Sequence, residues 1–395
     1  MKKKLKPKCL ICKKKTSLFF IKKKQPTKIY PCPSSIKFKK KNLKIFICFH
    51  CRHLFQHPIP TKKQIKSYYT EDQNYYTSLV QNPQLGENIE KEKVDFIKRI
   101  ISKIPYKPSL VEIGGFDGYL IYKLKKLLKK SLYIDPNLKG TKIAKKYKIQ
   151  SINKYLNKIL SKKLKGQFDI VVSRHVIEHV GNLKEFVNQM CLLLKPNGTL
   201  IVETPSQNTI IQKKLTRVFI LQHIHYFSEY SLIKIFQKLK FHKKKTLKEN
   251  SVIMAFKNSP KGSNKSPMKK IKFNKFSDYK KSIKNYEKNL NNKIKNLNKI
   301  IKKKPEKNIW IYGASAQIND LFTVYNFKKN LIKGIIDGDK KKVKYRIPVC
   351  KDIPIYFLKK LKKVKNDTII IATNSKDDAL KTLNKYHHKG IRHVL

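Results

Sequence analysis

The sequence predicts an α/β protein of several domains: a cysteine-bearing module, a parallel-sheet domain, and a second α/β domain at the C-terminal end. Three observations lead there. Five of the seven cysteines fall within residues 1–62. From about residue 63 to 258, short apolar runs alternate with amphipathic helical stretches, as in a parallel sheet covered by helices. The same alternation restarts near residue 305. A chain of 395 residues exceeds one ordinary core, and 40% hydrophobic residues are enough to fill two or three. The expected divisions are 1–62, 63–258, 259–304 and 305–395.

In chain order, the cysteines come first. "CLIC" places Cys9 and Cys12, and "CFHC" places Cys48 and Cys51. Two Cys-x-x-Cys knuckles supply four thiolates, the donor set of a closed, tetrahedral structural zinc site. The 35 residues between the knuckles require a long loop, and Cys32, His50 and His53 leave the ligand set open. Such a site is structural and carries no chemistry of its own.

"SLVEIGGFDGYLIYKLKK" (109–126) is an apolar strand, a glycine-rich turn and a helix. Gly114 and Gly118 let the backbone turn sharply and approach a ligand closely. The spacing is E-x-G-x-x-x-G, starting at Glu112 and with Asp117 inside the turn, and lacks the full dinucleotide fingerprint. The next strand ends in Asp135, 21 positions after Gly114, where an acid meets ribose hydroxyls in nucleotide-binding sheets. A third strand, "FDIVVS", runs into "RHVIEHV", which crowds Arg174, His175, Glu178 and His179 at its end. Such a cluster is costly to bury unless it is paired or used. "LLLKPNGTLIVETPS" (192–206) adds a helix end, a turn and a further strand.

"NSPKGSNKSPMKK" (258–270) reads as a linker. Beyond it, Phe276, Tyr279, Ile283, Tyr286, Leu290, Ile294, Leu297 and Ile301 recur every three or four positions, an apolar stripe along one helix. That stripe serves either a connecting helix packed on its own chain or a coiled coil in a homodimer. "NIWIYGASAQINDLF" (308–322) then repeats the strand, Gly313 turn and helix. Asp337, 24 positions on, reads as structural, so this domain is expected to close over a substrate and bind no second donor.

The net charge of +67 excludes less than it suggests. Of 92 basic residues only six are arginine, the residue that reads nucleic acids by bidentate and stacking contacts. The lysines are spread along the chain beside Asn, Ile, Tyr and Phe, which share A/T-rich codons, so genome composition explains them. The charge predicts salt-sensitive sticking to polyanions and no more. No apolar run approaches the roughly 18 residues that span a bilayer, and the basic start lacks a hydrophobic region behind it. A cytoplasmic protein without a membrane partner is expected.

"VEIGGFDG", "YIDP", "FDIVVSRHVIEHV" and "LKPNGTLIVETPS", in that order, resemble the class I S-adenosylmethionine-dependent methyltransferases. The resemblance implies a Rossmann-like fold in which Glu112, Gly114, Asp117, Gly118, Asp135 and His175 hold the methyl donor. The module order further resembles the three-domain sugar C-methyltransferases, which join an N-terminal zinc-binding domain, a methyltransferase domain and a C-terminal Rossmann-like domain. These act on nucleotide-linked 4-ketosugars, the acceptor the resemblance implies here. Carbon becomes a nucleophile only after loss of a proton beside the ketone, and a histidine near neutral pKa suits that step. The family carries a His-Glu-His run before an aromatic-serine stretch; this chain has Leu221, Gln222 and His223 ahead of "YFS". His223 is thus the leading base, with His179 and Glu178 as substitutes for the missing pair. Tyr75, Tyr76, His225 and Tyr226 are expected to line the acceptor site. The alternatives are O- or N-methylation of another small acceptor, and a basic RNA-binding methyltransferase.

Overall fold

In the computed structural model of the chain, residues 6–27, 31–35, 39–65, 79–81, 83–248, 250–259, 276–303, 309–373 and 376–394 are described. Two compact units emerge, each assembled from separate segments. The first comprises Met1–Phe19, Ile45–Lys213 and Gln222–Lys280; the second comprises Phe20–Lys44, Lys214–Leu221 and Lys281–Leu395.

Strands β1 (Ser17–Pro26), β2 (Lys40–Cys48) and β3 (His53–Gln56) come before a seven-stranded sheet. Its members are β4 (Ser109–Ile113), β5 (Lys130–Ile134), β6 (Ser151–Ile152), β7 (Phe168–Arg174), β8 (Leu194–Pro205), β10 (Lys240–Thr246) and β11 (Ser251–Lys257). They lie in the order β10-β11-β8-β7-β4-β5-β6. The pairings from β6 through β8 are parallel, and β11 runs antiparallel to both β8 and β10. The short β9 (His225–Phe227) leaves this sheet and joins a second one, ordered β1-β2-β3-β9.

The apolar strands follow from burial on both faces. Val111, Val171, Leu200 and Met254 point to one core, together with Phe186, Val187 and Met190 of the helix Leu183–Leu193. Leu110, Ile170, Val172 and Ile201 point to the other, against Phe96, Ile97 and Ile100 of the helix Pro83–Ile101. With helices on both sides, a strand has no solvent face, and the alternation of an amphipathic sheet disappears. Helix starts are marked by short polar caps. Asn137, Asn157, Asn182, Ser206 and Ser228 each accept a backbone N–H of the first turn that follows, satisfying a donor the helix itself leaves open.

Within the second unit, β12 (Ile309–Tyr312), β13 (Ile332–Asp337), β14 (Ile355–Phe357), β15 (Thr368–Ile371) and β16 (Arg392–Val394) form a wholly parallel sheet. Its order is β14-β13-β12-β15-β16, so β12 lies where the strand order reverses. Lys22, one of the many lysines, is buried in this unit with its Nζ 2.5 Å from Asp320 Oδ1. Burial lowers its pKa, against the pull of that carboxylate.

The long helix Phe276–Lys303 carries the stripe, with Phe276 exposed at its start. Tyr279, Ile283, Tyr286 and Leu297 are buried, with Gln207 donating to the Tyr279 hydroxyl and Tyr286 donating to the Leu215 carbonyl. At these four positions the stripe packs on its own chain. No helix among the described residues is long and apolar enough to cross a membrane.

Candidate active site

The glycine turn after β4 positions the first half of the site. Gly114 has φ +73°, and a Cβ there would lie 2.2 Å from Val176 Cγ2. Its N–H donates to the Ile134 carbonyl at 2.8 Å, which draws the turn onto the end of β5. Asp135 follows directly. Its Oδ1 accepts the Asn137 N–H at 2.7 Å and its Oδ2 accepts the Phe116 N–H at 3.3 Å. Burial pushes the Asp135 carboxyl up to about 6, with those backbone donors acting in the opposite direction. Gly118, with φ +80°, serves packing, since a Cβ there would meet Ile149 and Ala144.

Of the residues expected to touch the methyl donor, Asp117 is placed otherwise and Glu112 gives one of its two oxygens to the protein. Asp117 is fully buried, and its carboxylate accepts the N–H groups of Val80 and Tyr119 at 3.0 and 3.2 Å. It therefore anchors the preceding segment and the next helix. Glu112 turns its Oε1 to Arg174, 3.2 Å from Nε and 2.9 Å from Nη2. Desolvation pushes its carboxyl up to about 7, although Arg174 pulls it down. The other oxygen, Oε2, is buried without a partner beneath the glycine turn, and a Cβ on Gly115 would sit 2.7 Å from it. Ser173 Oγ, near the end of β7, is likewise buried and unpartnered. An orphaned carboxylate oxygen under a side-chain-free turn, beside an acid ending the neighbouring strand, fits a donor with an ammonium group and ribose hydroxyls.

The charged cluster after β7 divides into two parts. Arg174 points into the protein, where it pairs with Glu90 and Glu112 and approaches Glu203 at 4.0 Å. Lys93 joins from the same helix as Glu90, 2.8 Å from Glu90 and 3.7 Å from Glu203. Arg174 thus leaves the histidines with which the sequence crowds it, and desolvating its guanidinium is tolerable because three carboxylates surround it. His175 follows with φ +51°, an uncommon conformation for a residue bearing a Cβ. Its Nδ1 is 3.2 Å from Glu178 Oε1 and its Nε2 is 3.0 Å from Glu203 Oε1. Burial opposes charge on this ring, but Glu203 and Glu178 outweigh it and push the pKa up to about 10. His175 is therefore an imidazolium clamp between two carboxylates. Glu178 in turn stays ionised, held near 2 by its histidine neighbours against the cost of burial.

His179 and His223 form the second part. Their rings meet edge-on with centroids 4.8 Å apart. His179 Nδ1 lies 2.9 Å from the Gln222 carbonyl, so that nitrogen carries the hydrogen and Nε2 is the basic one. Burial lowers the pKa of His179, so the ring is neutral near pH 7. Its Nε2 is 3.9 Å from Glu178 Oε1. The i, i+4 spacing of His175 and His179 does not place them on one helical face. A 3-10 turn, Ile177–His179, intervenes, and both rings converge on Glu178 instead.

His225, expected at the acceptor site, is corrected by its surroundings. It is 1% exposed, with Nδ1 3.1 Å from His53 Nε2 and Nε2 3.0 Å from the Val180 carbonyl. Both ring nitrogens are occupied by the protein, and burial lowers its pKa to about 4. Tyr226 is equally buried, its ring 6.0 Å from that of His223. Tyr75 and Tyr76 lie outside the described residues. The supporting residues that sequence reasoning missed are Glu90, Lys93 and Glu203. One signal was available: Glu203 interrupts the apolar run of β8, and a charge inside a buried strand requires a partner.

The cysteines form a separate centre. Cys9, Cys12, Cys48 and Cys51 place their sulfurs within 4.8 Å of one another. Cys9 and Cys51 are 3.3 Å apart, and Cys12 and Cys48 3.5 Å. A tetrahedral zinc with bonds near ~2.3 Å needs sulfurs roughly 3.8 Å apart, so the four are compatible with structural zinc. Of the possible extra ligands, His53 is engaged with His225, and Cys32 lies on a separate β-bridge to Arg346, outside the set of four.

Comparison with known proteins agrees with this architecture. Residues 85–243 match the family described as methyltransferase domain, and residues 249–395 match the C-methyltransferase C-terminal domain. The ubiquinone biosynthesis O-methyltransferase of Pelagibacter ubique is 29% identical over 123 residues, covering 30% of this chain and 50% of that protein. The chain thus spans about half the length of that curated relative. Among solved structures, the N-methyltransferase NodS of Bradyrhizobium japonicum is similar at 18% identity and a TM-score of 0.35, over 43% of this chain and 97% of its own. An S-adenosylmethionine-dependent methyltransferase of Archaeoglobus fulgidus is similar at 14% identity and a TM-score of 0.35, over 44% and 98%.

Proposed function

We propose that this chain, a class I S-adenosylmethionine-dependent methyltransferase, methylates a carbon beside the ketone of a nucleotide-linked 4-ketosugar. The observation that carries the reading is His179: a neutral imidazole with a defined tautomer, beside an ionised carboxylate. S-adenosylmethionine, when bound, supplies an electrophilic methyl group on a sulfonium.

The residues of the chain would prepare the acceptor. His179 Nε2 takes the proton from the carbon beside the ketone. The imidazolium so formed lies 3.9 Å from Glu178, whose charge stabilises it without accepting the proton itself. His175, already charged, keeps Glu178 ionised and oriented. This geometry favours His179 over His223 as the nitrogen that moves the proton, with His223 setting the ring beside it. It also bears on the missing glutamate. Gln222 contributes its backbone carbonyl to His179, and Glu178 supplies the carboxylate. The C-methyltransferase C-terminal match supports transfer to carbon. A nucleotide-sugar acceptor and four uncrosslinked thiols both suit a reducing cytoplasm.

The test is a panel of nucleotide 4-ketosugars offered with the donor in deuterated water, read by mass spectrometry. Gain of one methyl group with solvent exchange beside the ketone, both lost in His179→Ala and exchange retained in part by His223→Ala, is the expected result. Methyl transfer without exchange would assign the acceptor atom to oxygen or nitrogen. Absence of exchange and transfer on every sugar would overturn the reading.

A further inference from the structure

Apart from the four cysteines, one group of metal-type donors comes together among the described residues. It consists of Glu178, His179 and His223, with a donor atom of each within 4.8 Å of the other two. Two segments far apart in sequence supply them. The 3-10 turn Ile177–His179 brings Glu178 and His179, and the stretch just before β9 brings His223. Hydrogen bonds stitch these segments together on both sides of His223. His179 Nδ1 donates to the Gln222 carbonyl at 2.9 Å, and the Ile224 N–H donates to the Glu178 carbonyl at 2.7 Å. The fold itself therefore assembles the donor set.

Two of the donors also have the outer support that metal ligands require. The Gln222 carbonyl fixes the His179 hydrogen on Nδ1, so Nε2 carries the lone pair, 3.9 Å from Glu178 Oε1. Glu178 is held at both oxygens, Oε1 by His175 Nδ1 at 3.2 Å and Oε2 by the Thr204 hydroxyl at 3.0 Å. A carboxylate oxygen accepts twice, so Oε1 has a lone pair besides the one facing His175. Bonds near 2.0–2.2 Å set neighbouring donors of a tetrahedral ion about 3.4 Å apart, so Nε2 and Oε1 need close by only about 0.5 Å. The His179 side chain is 19% exposed, which gives an ion a way in.

We propose that Glu178, His179 and His223 form a metal site distinct from the four cysteines, for a divalent transition ion such as Zn2+. Two imidazoles and one carboxylate suit that class, whereas Mg2+ takes a shell of oxygens. Three protein donors leave a position for water. The set carries one negative charge against four for the thiolates, so its ion exchanges on dialysis where a thiolate-bound one stays. An ion here takes the Nε2 lone pair that proton removal uses, so the occupied chain cannot take that proton. This consequence rests on the proposed base; the site itself does not.

The test is read without acceptor or methyl donor, so its outcome is separate from that of the proposed reaction. The full chain is dialysed against a weak chelator, its residual zinc is counted by elemental analysis, and Zn2+ and Mg2+ are then titrated calorimetrically. One further Zn2+ per chain, no Mg2+, and Zn2+ binding weakened about tenfold or more in both His179→Ala and His223→Ala are expected, since even an outer partner of a ligand is worth about 10–100-fold in affinity. Absence of a further ion, affinity unchanged in either variant, or Mg2+ bound as tightly as Zn2+ overturns the proposal. If the variants fail to fold, the unaltered chain decides. Cu2+ with ascorbate oxidises the side chains that hold the ion: oxidation mapped by peptide mass spectrometry to His179 and His223 upholds the site, and oxidation confined to other residues overturns it.

Discussion

At the scale of single residues, identical side-chain types have opposite tasks because their surroundings differ. His175 and His179 are four positions apart in one loop, yet one is driven to about 10 and the other is lowered. The difference lies in carboxylate contacts: His175 touches two, while His179 bonds a carbonyl and meets Glu178 only at 3.9 Å. Glu178→Gln should therefore lower the rate of proton exchange more than donor binding, because it removes the charge that stabilises the His179 imidazolium; exchange kinetics and donor titration on the same variant check this. Arg174 belongs to the interior. Arg174→Met leaves Glu90 and Glu112 buried without their cation, which should cost about 3–5 kcal/mol in chemical denaturation. Loss of less than about 1 kcal/mol would show that the carboxylates find protons or other partners readily.

At the scale of elements, the β2–β3 hairpin makes the four-cysteine centre and the histidine loop neighbours. Cys48 and Cys51 bracket its turn, His53 pairs with Cys48 across the ladder, and β3 pairs onward with β9. His53 Nε2 and His225 Nδ1 then lie 3.1 Å apart, two positions on from His223. A cysteine centre remote from the histidine loop can thus still hold that loop in register. Cys12→Ser should abolish stoichiometric zinc by elemental analysis, lower the thermal midpoint, and depress activity through β9. A variant that loses zinc while keeping the melting temperature and activity would refute that link. The long helix shows the same rule from the other side: its periodicity was legible, and the chain itself covers the stripe at Tyr279, Ile283 and Tyr286.

At the scale of the whole molecule, the net charge of +67 dominates the composition, while stability of the site rests on a few acids. Glu178 and Glu203 are both held near 2, so their contribution is present above the ordinary carboxylate value of about 4.5 and is lost as pH falls toward 2. His175 is raised, so its contribution is complete below its unfolded value near 6.5 and is lost as pH climbs through about 10. The stability difference between the natural chain and His175→Asn should therefore be largest between pH about 4.5 and 6.5 and shrink on either side. Denaturant midpoints across that range measure it, and a difference that grows steadily toward pH 9 would contradict the assignment.

The sequence by itself determined the α/β class, the methyltransferase order of motifs, the four cysteines, and the glycine turn with its acid 21 positions on. These are legible because each depends on local spacing: strand and helix periods, a knuckle, or a turn that only glycine tolerates. Only the tertiary structure decided where the charges point. Nothing in "RHVIEHV" says that Arg174 faces Glu90, some 84 positions away, while His179 takes the carbonyl of Gln222. Nor does the chain order show that residues 20–44 and 214–221 join the C-terminal segment in one unit. Partners distant in sequence are chosen by burial, since a desolvated charge or polar group must find its complement wherever the fold places one.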